Sequence, residues 1–248
     1  MPIIYHPETT RSFRDLGGVK LYQSFHPYYP SAPNRRRLGV MIALDNLYYT
    51  SGDSEICSFP YQHTEVLSLV LAGTIISKDS TGSKQVLTQD TVQLLSAGSG
   101  IEITRHNGSS TDEAELLQIW FTPETQNGEP YYQVINSPVE NRGSQWQLLV
   151  SPDGEHDSLK IKQQVWVSRG TFEPGTLYTY HKTKEKNDVY LFVLAGEAMA
   201  EGQILNYRDG IAISGKGPVA FLCKQLTDLL LIELPANQNL KNHSYKNQ

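Results

Sequence analysis

Apolar residues in this chain come in short runs broken by glycine, proline and small polar residues, and no stretch sustains the 3.6-residue period of an amphipathic helix. Strands are therefore expected almost throughout, with few and short helices. Residues 3–25 read as short extended pieces with a turn at Gly17–Gly18, and HPYYPSAPNRRR (26–37) as a proline-rich loop. LGVMIALDNLYY (38–49) has the bulky, apolar character of a strand that ends before Gly52–Asp53. EVLSLVLAGTIIS (65–77) holds a buried-type strand, a glycine turn and the start of a second strand, and DSTG (79–82) marks a hairpin. VLTQDTVQLLSAGSG then runs strand, turn, strand into IEITR, and ELLQIWFTP (115–123) is a further strand ended by proline.

The second half repeats this plan. VLAG occurs at Val70–Gly73 and again at Val193–Gly196, and DTVQLLSAGSG (90–100) is echoed by DGIAISGKG (209–217). Two matches in the same order at nearly the same offset indicate an internal duplication. LLLIELP (229–235) mirrors LLQIWFTP (116–123) as the closing strand of each half. The expected division is 1–130 and 131–248, joined near Gln126–Pro138.

Composition narrows the class without changing it. A chain of 248 residues, 39% hydrophobic and 19% charged, is ordinary for a globular protein of one large or two small domains. A net charge of −5 disfavours a nucleic-acid-binding surface, and the local run Arg35–Arg37 reads as a solvated loop. Cys57 and Cys223 stand far apart with no CxxC pair, which implies neither a zinc knuckle nor a disulfide framework and fits a reduced, cytoplasmic setting. Cys57 itself reads as a small buried hydrophobe. No signal-peptide pattern opens the chain, and no apolar run approaches the ~20 residues of a membrane span.

QSFHPYYP (23–30), EVLSLVLAGTIISKDSTG (65–82), LLSAGSGIEITRHN (94–107), LLQIWFTPE (116–124) and QLLVSPDGEHDSLKIKQ (147–163) together resemble the pirin family, in order and over nearly the whole chain. The likeness is greatest to the bacterial pirins that resemble quercetin 2,3-dioxygenases. The resemblance implies an all-β fold of two antiparallel cupin barrels, a bicupin. It also implies one divalent metal in the first barrel, held by two histidines of an HPH run and by a His and a Glu of an AGSG-I-x-H-x-E run. Imidazoles and one carboxylate hold such a metal and leave positions open for substrate and dioxygen.

This chain departs from that pattern at each ligand position. Phe59–Pro60–Tyr61 stands in place of HPH, and Ile103 and Arg105 stand in place of the later His and Glu. In the second half the corresponding places hold Lys182 and Lys184. Phenyl and sec-butyl groups have no lone pair to give, a neutral phenol is a poor ligand, and a guanidinium repels a cation. No metal or other cofactor is therefore expected.

His63, Glu65 and His106 lie near the motif, and a displaced metal site built from them is the sharper alternative to their being residues of the barrel mouth. Arg105 shares strand parity with Ile101 and Ile103 and is expected either to point inward, pairing with Glu65 or stacking on Tyr61, or to reach solvent. Three functions follow. The first is a metal-free bicupin that binds a protein partner or a small apolar or anionic ligand in the first barrel. The second is the metal-dependent quercetinase-like dioxygenase that the resemblance implies. The third is a metal-independent enzyme using Tyr61, Arg105, His63 or Glu65 as acid, base or anion clamp. Neither nucleic acid nor membrane is an expected partner.

Overall fold

A computed structural model describes residues 1–26, 37–52, 57–126 and 128–236; most of the proline-rich stretch, with Arg35 and Arg36, and the side chain of Cys57 lie outside the described residues. The strands are β1 (Ile3–His6), β2 (Ser12–Asp15), β3 (Val19–Phe25), β4 (Met41–Tyr49), β5 (Cys57–Tyr61), β6 (Glu65–Ala72), β7 (Thr74–Asp79), β8 (Lys84–Thr88), β9 (Thr91–Ser96), β10 (Ile101–Asn107), β11 (Ala114–Phe121) and β12 (Tyr131–Asn136). The second half continues with β13 (Gln147–Ser151), β14 (Leu159–Lys160), β15 (Trp166–Phe172), β16 (Leu177–Tyr180), β17 (Asp188–Ala195), β18 (Ala198–Ala200), β19 (Gln203–Leu205), β20 (Gly210–Ile213), β21 (Val219–Cys223) and β22 (Thr227–Leu234). The helices among the described residues are single 3₁₀ turns such as Glu8–Thr10 and Val139–Asn141. None is long and apolar enough to cross a membrane.

The chain forms two compact units that do not follow a single cut. The first is Arg11–Ser137 with Leu159–Gln163; the second is Met1–Thr10, Pro138–Ser158 and the residues from Gln164 onward. The expected boundary between 130 and 131 thus falls inside the main stretch of the first unit, and the first ten residues join the second.

The two units share one topology. In the first, a large sheet runs β12-β9-β6-β11-β4-β3-β2 and a small one β5-β10-β7-β8; in the second, the corresponding orders are β1-β20-β17-β22-β15-β13 and β16-β21-β18-β19. The duplication read from VLAG is visible here. β6 and β17 occupy the same place, and each ends at a glycine with positive φ, Gly73 at +72° and Gly196 at +88°. A Cβ on either would lie 2.6 Å from a backbone carbonyl oxygen, of Glu113 and of Leu226 respectively, so glycine is required for both conformation and space. The edge strand differs between the units: β12 flanks β9 in the first, and the N-terminal β1 flanks β20 in the second.

This is the all-β bicupin expected, with one qualification. Each barrel is a large and a small sheet facing each other across a core, not a ring of strands closed by hydrogen bonds. The second unit's core is continuously apolar, from Leu191, Ile211, Leu229 and Leu231 to an aromatic group of Phe172, Phe221, Trp146 and Tyr178. The first unit's core is split. One cluster holds Leu21, Leu47, Val70, Ile75, Leu87 and Leu116, and the other holds Tyr61, Val66, Leu95, Ile101 and Ile103.

Candidate functional site

What divides the two apolar clusters is a row of polar side chains. Gln93, Ser68, Gln118, Asp45 and Gln23 stand directly opposite one another across β9, β6, β11, β4 and β3. Each is at most 4% exposed. On the small sheet, Arg105 of β10 stands opposite Ser77 of β7, which stands opposite Gln85 of β8. Gln93 Nε2 donates to Gln85 Oε1 and so links the two sheets. At the matching level of the second unit, five residues before the strand-ending glycine, the row is Ile211–Leu191–Leu231–Ser168–Leu148, apolar except for one serine. The fold therefore does not need the polar belt; this chain places it in the first unit alone.

A hydrogen-bonded chain crosses the interior at this level. Arg105 Nη1 donates to the Tyr61 hydroxyl at 3.1 Å, that hydroxyl donates to Gln118 Oε1 at 3.4 Å, and Gln118 Nε2 donates to Ser68 Oγ at 3.0 Å. Arg105 is fully buried, and its guanidinium carbon lies 5.9 Å from the centroid of the Tyr61 ring. Its Nε and Nη2 have no hydrogen-bond partner. An incompletely paired guanidinium in an apolar interior costs several kcal/mol of desolvation, on the order of what breaking a buried ion pair costs. Burial of this group thus opposes folding and is compensated by the surrounding core.

Beside this chain lies a cavity of about 400 Å³, bordered by Leu16, Leu21, Leu47, Phe59 and Trp120 on its apolar side and by Gln23, Asp45, Gln118, Ser58, His26 and Arg14 on its polar side. Gln23 Nε2 donates to Asp45 Oδ1 at 3.2 Å, while Gln23 Oε1 is buried without a donor. Burial pushes the Asp45 carboxyl up to about 7, against the opposing pull of the Gln23 hydrogen bond and the Arg11 charge. Burial also lowers the His26 imidazole, and the Arg14 charge lowers it further, so His26 is neutral at neutral pH. The Trp120 ring lies 5.1 Å from Tyr61, edge to face, and 6.3 Å from His26.

Of the residues singled out from the sequence, Phe59 is half-buried and borders the cavity, while Tyr61, Ile103 and Arg105 are packed into the interior. Arg105 points inward and pairs with Tyr61. It does not pair with Glu65, which accepts a hydrogen bond from Ser96 Oγ at 2.9 Å. Burial raises the Glu65 carboxyl, partly offset by Ser96 and Lys162. His63, Thr64 and Glu65 have the spacing of a His-x-Glu pair, but the pair does not converge. His63 is exposed at φ +52°, its Nδ1 3.1 Å from the Gln126 carbonyl, whereas Glu65 is 2% exposed. Strand parity cannot be carried across that turn, because β5 ends at Tyr61 and β6 begins at Glu65 in the other sheet. His106 alternates with Arg105 on β10 and is half-buried. Among the described residues, no three His, Cys, Asp or Glu side chains come together so as to hold a metal ion. In the second unit, Lys182 Nζ donates to the carbonyls of Asn187 and Gly215.

Gln23, Asp45, Gln118 and Trp120 were not singled out from the sequence. Part of their signal was present: β6, β9 and β11 each have one polar side chain in the middle of a mostly apolar run (EVLSLVLA, TVQLLS and AELLQIWF), whereas Asp45 and Gln23 stand beside a second polar residue, Asn46 in β4 and Ser24 in β3.

The family model for pirin matches residues 10–121, and that for the quercetinase C-terminal cupin domain matches residues 148–234. A quercetin 2,3-dioxygenase of Escherichia coli K12 is 28% identical over 213 residues, covering 86% of this chain and 89% of that protein. A pirin-like protein of Caulobacter vibrioides is 27% identical over 237 residues, covering 90% and 97%. Among solved structures, the bacterial pirin YhhW of Escherichia coli in complex with nickel(II) superposes with a TM-score of 0.87 at 25% identity, covering 95% of this chain and all (100%) of that one.

Proposed function

The chain belongs to the pirin family, and we propose that its first barrel serves as a metal-free binding site for a small ligand. One observation carries the reading: Arg105 and Tyr61, at two of the four positions where the family resemblance expects metal ligands, are buried and hydrogen-bonded to each other at 3.1 Å. A divalent ion placed there would face a fixed guanidinium at close range and find a single neutral phenol oxygen, already engaged on both sides. Phe59 and Ile103 supply carbon only. The donor set does not fit a metal, so no step of a metal-dependent reaction is derived for this chain.

The cavity beside the pair supports binding as the retained role. It lies at the low end of the ~300–1,000 Å³ typical of small-molecule sites, with apolar walls and a few convergent polar groups. The relatives named as quercetin 2,3-dioxygenases share the scaffold. Metal analysis of protein expressed in medium supplemented with iron, nickel, copper and manganese tests the reading. Substoichiometric metal is expected, with no thermal shift on adding any of the four. Near-stoichiometric metal lost on substitution of Tyr61 or Arg105 would overturn it.

A further inference from the structure

The geometry points to a specific ligand chemistry: the cavity of the first barrel takes a small organic cation, a primary or secondary ammonium carried on a compact apolar or aromatic body. This rests on the metal-free reading above and narrows it. The argument starts from the polar atoms that border the cavity with capacity to spare. Asp45 is 4% exposed, and its carboxyl receives one hydrogen bond, at Oδ1 from Gln23. Among the described residues, none donates a hydrogen bond to Asp45 Oδ2. Gln23, 3% exposed, has an Oε1 without a donor. Both open positions are acceptors on adjacent strands, in register. A buried oxygen left without a donor costs roughly 1–3 kcal/mol, and an N–H-bearing ligand head removes that cost at Gln23 Oε1 while placing its charge against the Asp45 carboxyl.

The cations near the cavity do not serve an anion in place of the acid. Arg11 donates through Nη2 to the Tyr22 carbonyl and to Asn46 Oδ1. Arg14 is exposed on β2, where solvent screens it, and His26 is neutral. Arg105 is committed to Tyr61 and does not border the cavity. An anionic ligand would meet the Asp45 carboxyl with no buried counter-charge on the lining. The apolar side completes the fit. Phe59 and Trp120 supply aromatic surface, which attracts a desolvated cation as well as its hydrocarbon body. An incoming ammonium also favours the ionised form of Asp45, so acid and ligand stabilise each other's charge in a setting that neither would occupy alone.

The probes are benzylamine, benzyl alcohol, benzoate and benzyltrimethylammonium, titrated calorimetrically into the full-length protein and into Asp45→Asn and Gln23→Leu variants shown to be folded by circular dichroism. Expected is one-site binding of benzylamine, at least about tenfold tighter than benzoate and than the quaternary analogue, which has no N–H to donate. Asp45→Asn should weaken benzylamine by at least about tenfold, the scale of one charged hydrogen bond, while leaving benzyl alcohol within about twofold. Tighter binding of benzoate, an unchanged benzylamine affinity in Asp45→Asn, or no binding of any probe would each overturn the assignment. Metal content measured on the same samples separates the two readings. Stoichiometric metal with intact benzylamine binding defeats only the metal-free reading, and metal-free protein that prefers benzoate defeats only this one.

Discussion

Asp45 gives the most direct quantitative test of the belt. Its carboxyl is raised from 3.8 to about 7 in the folded chain, with burial as the dominant cause. A carboxyl whose folded pKa lies above its unfolded value makes no difference below about pH 4, where both states are protonated. Between about pH 4 and 7 the unfolded chain ionises and the folded one does not, so stability falls as pH rises. Above about 7 the full penalty is present: about three pKa units at about 1.4 kcal/mol each, or about 4 kcal/mol. Asp45→Asn keeps the shape and the acceptor for Gln23 Nε2 but removes the ionisation. The variant should therefore be more stable than the parent by about 2 kcal/mol at pH 5 and by about 4 kcal/mol at pH 8, apart from a constant offset. Urea unfolding at the two pH values measures both, and every other titrating group cancels in the comparison. The decisive quantity is the change of about 2–3 kcal/mol between pH 5 and pH 8. A difference that stays constant across that range would show that Asp45 titrates normally in the fold, and the account of a desolvated acid in the belt would fail.

Other outcomes follow from the same geometry. Arg105→Met, which removes a buried guanidinium with two unpaired nitrogens, should leave stability within about 1 kcal/mol of the parent or raise it, since apolar replacement of buried charge is often neutral or better; a loss above about 3 kcal/mol in urea unfolding would show that the charge is fully paired. Gly73→Ala and Gly196→Ala should each destabilise by at least about 2 kcal/mol, since strained φ adds to a backbone clash. Gly175→Ala, at φ +82° with open space, should lose only about 1–2 kcal/mol, both comparisons read by urea unfolding. Phe59→His, Tyr61→His, Ile103→His and Arg105→Glu introduced together should confer nickel binding that the parent lacks, read by calorimetry. The single Arg105→Glu change should not, because it supplies one carboxylate and no imidazole.

The sequence by itself determined the class of fold, the duplication and the character of each strand. Short apolar runs without helical period leave only β structure, and glycines such as Gly73 and Gly196 mark turns because only glycine fits there. Strand parity put Arg105 on the same side as Ile103 but left open whether its side chain points inward or reaches solvent; only the structure shows it buried. Which acceptor Arg105 would reach was not legible. Tyr61 and Glu65 are four positions apart in the chain, yet they stand on different sheets, with a turn through His63 between them.

The belt was legible only in pieces. Ser68, Gln93 and Gln118 each read as an isolated exception within an apolar run, and Asp45 and Gln23 as part of short polar pairs with Asn46 and Ser24. Their meeting depends on register among β3, β4, β6, β9 and β11, set by pairings between distant parts of the chain and by bulges after Gln23 and Trp120. A slip of one residue in any strand would turn its polar member to the opposite face. Five separate polar residues therefore become one continuous polar layer, with a cavity at its end, only when tertiary pairing fixes every register at once.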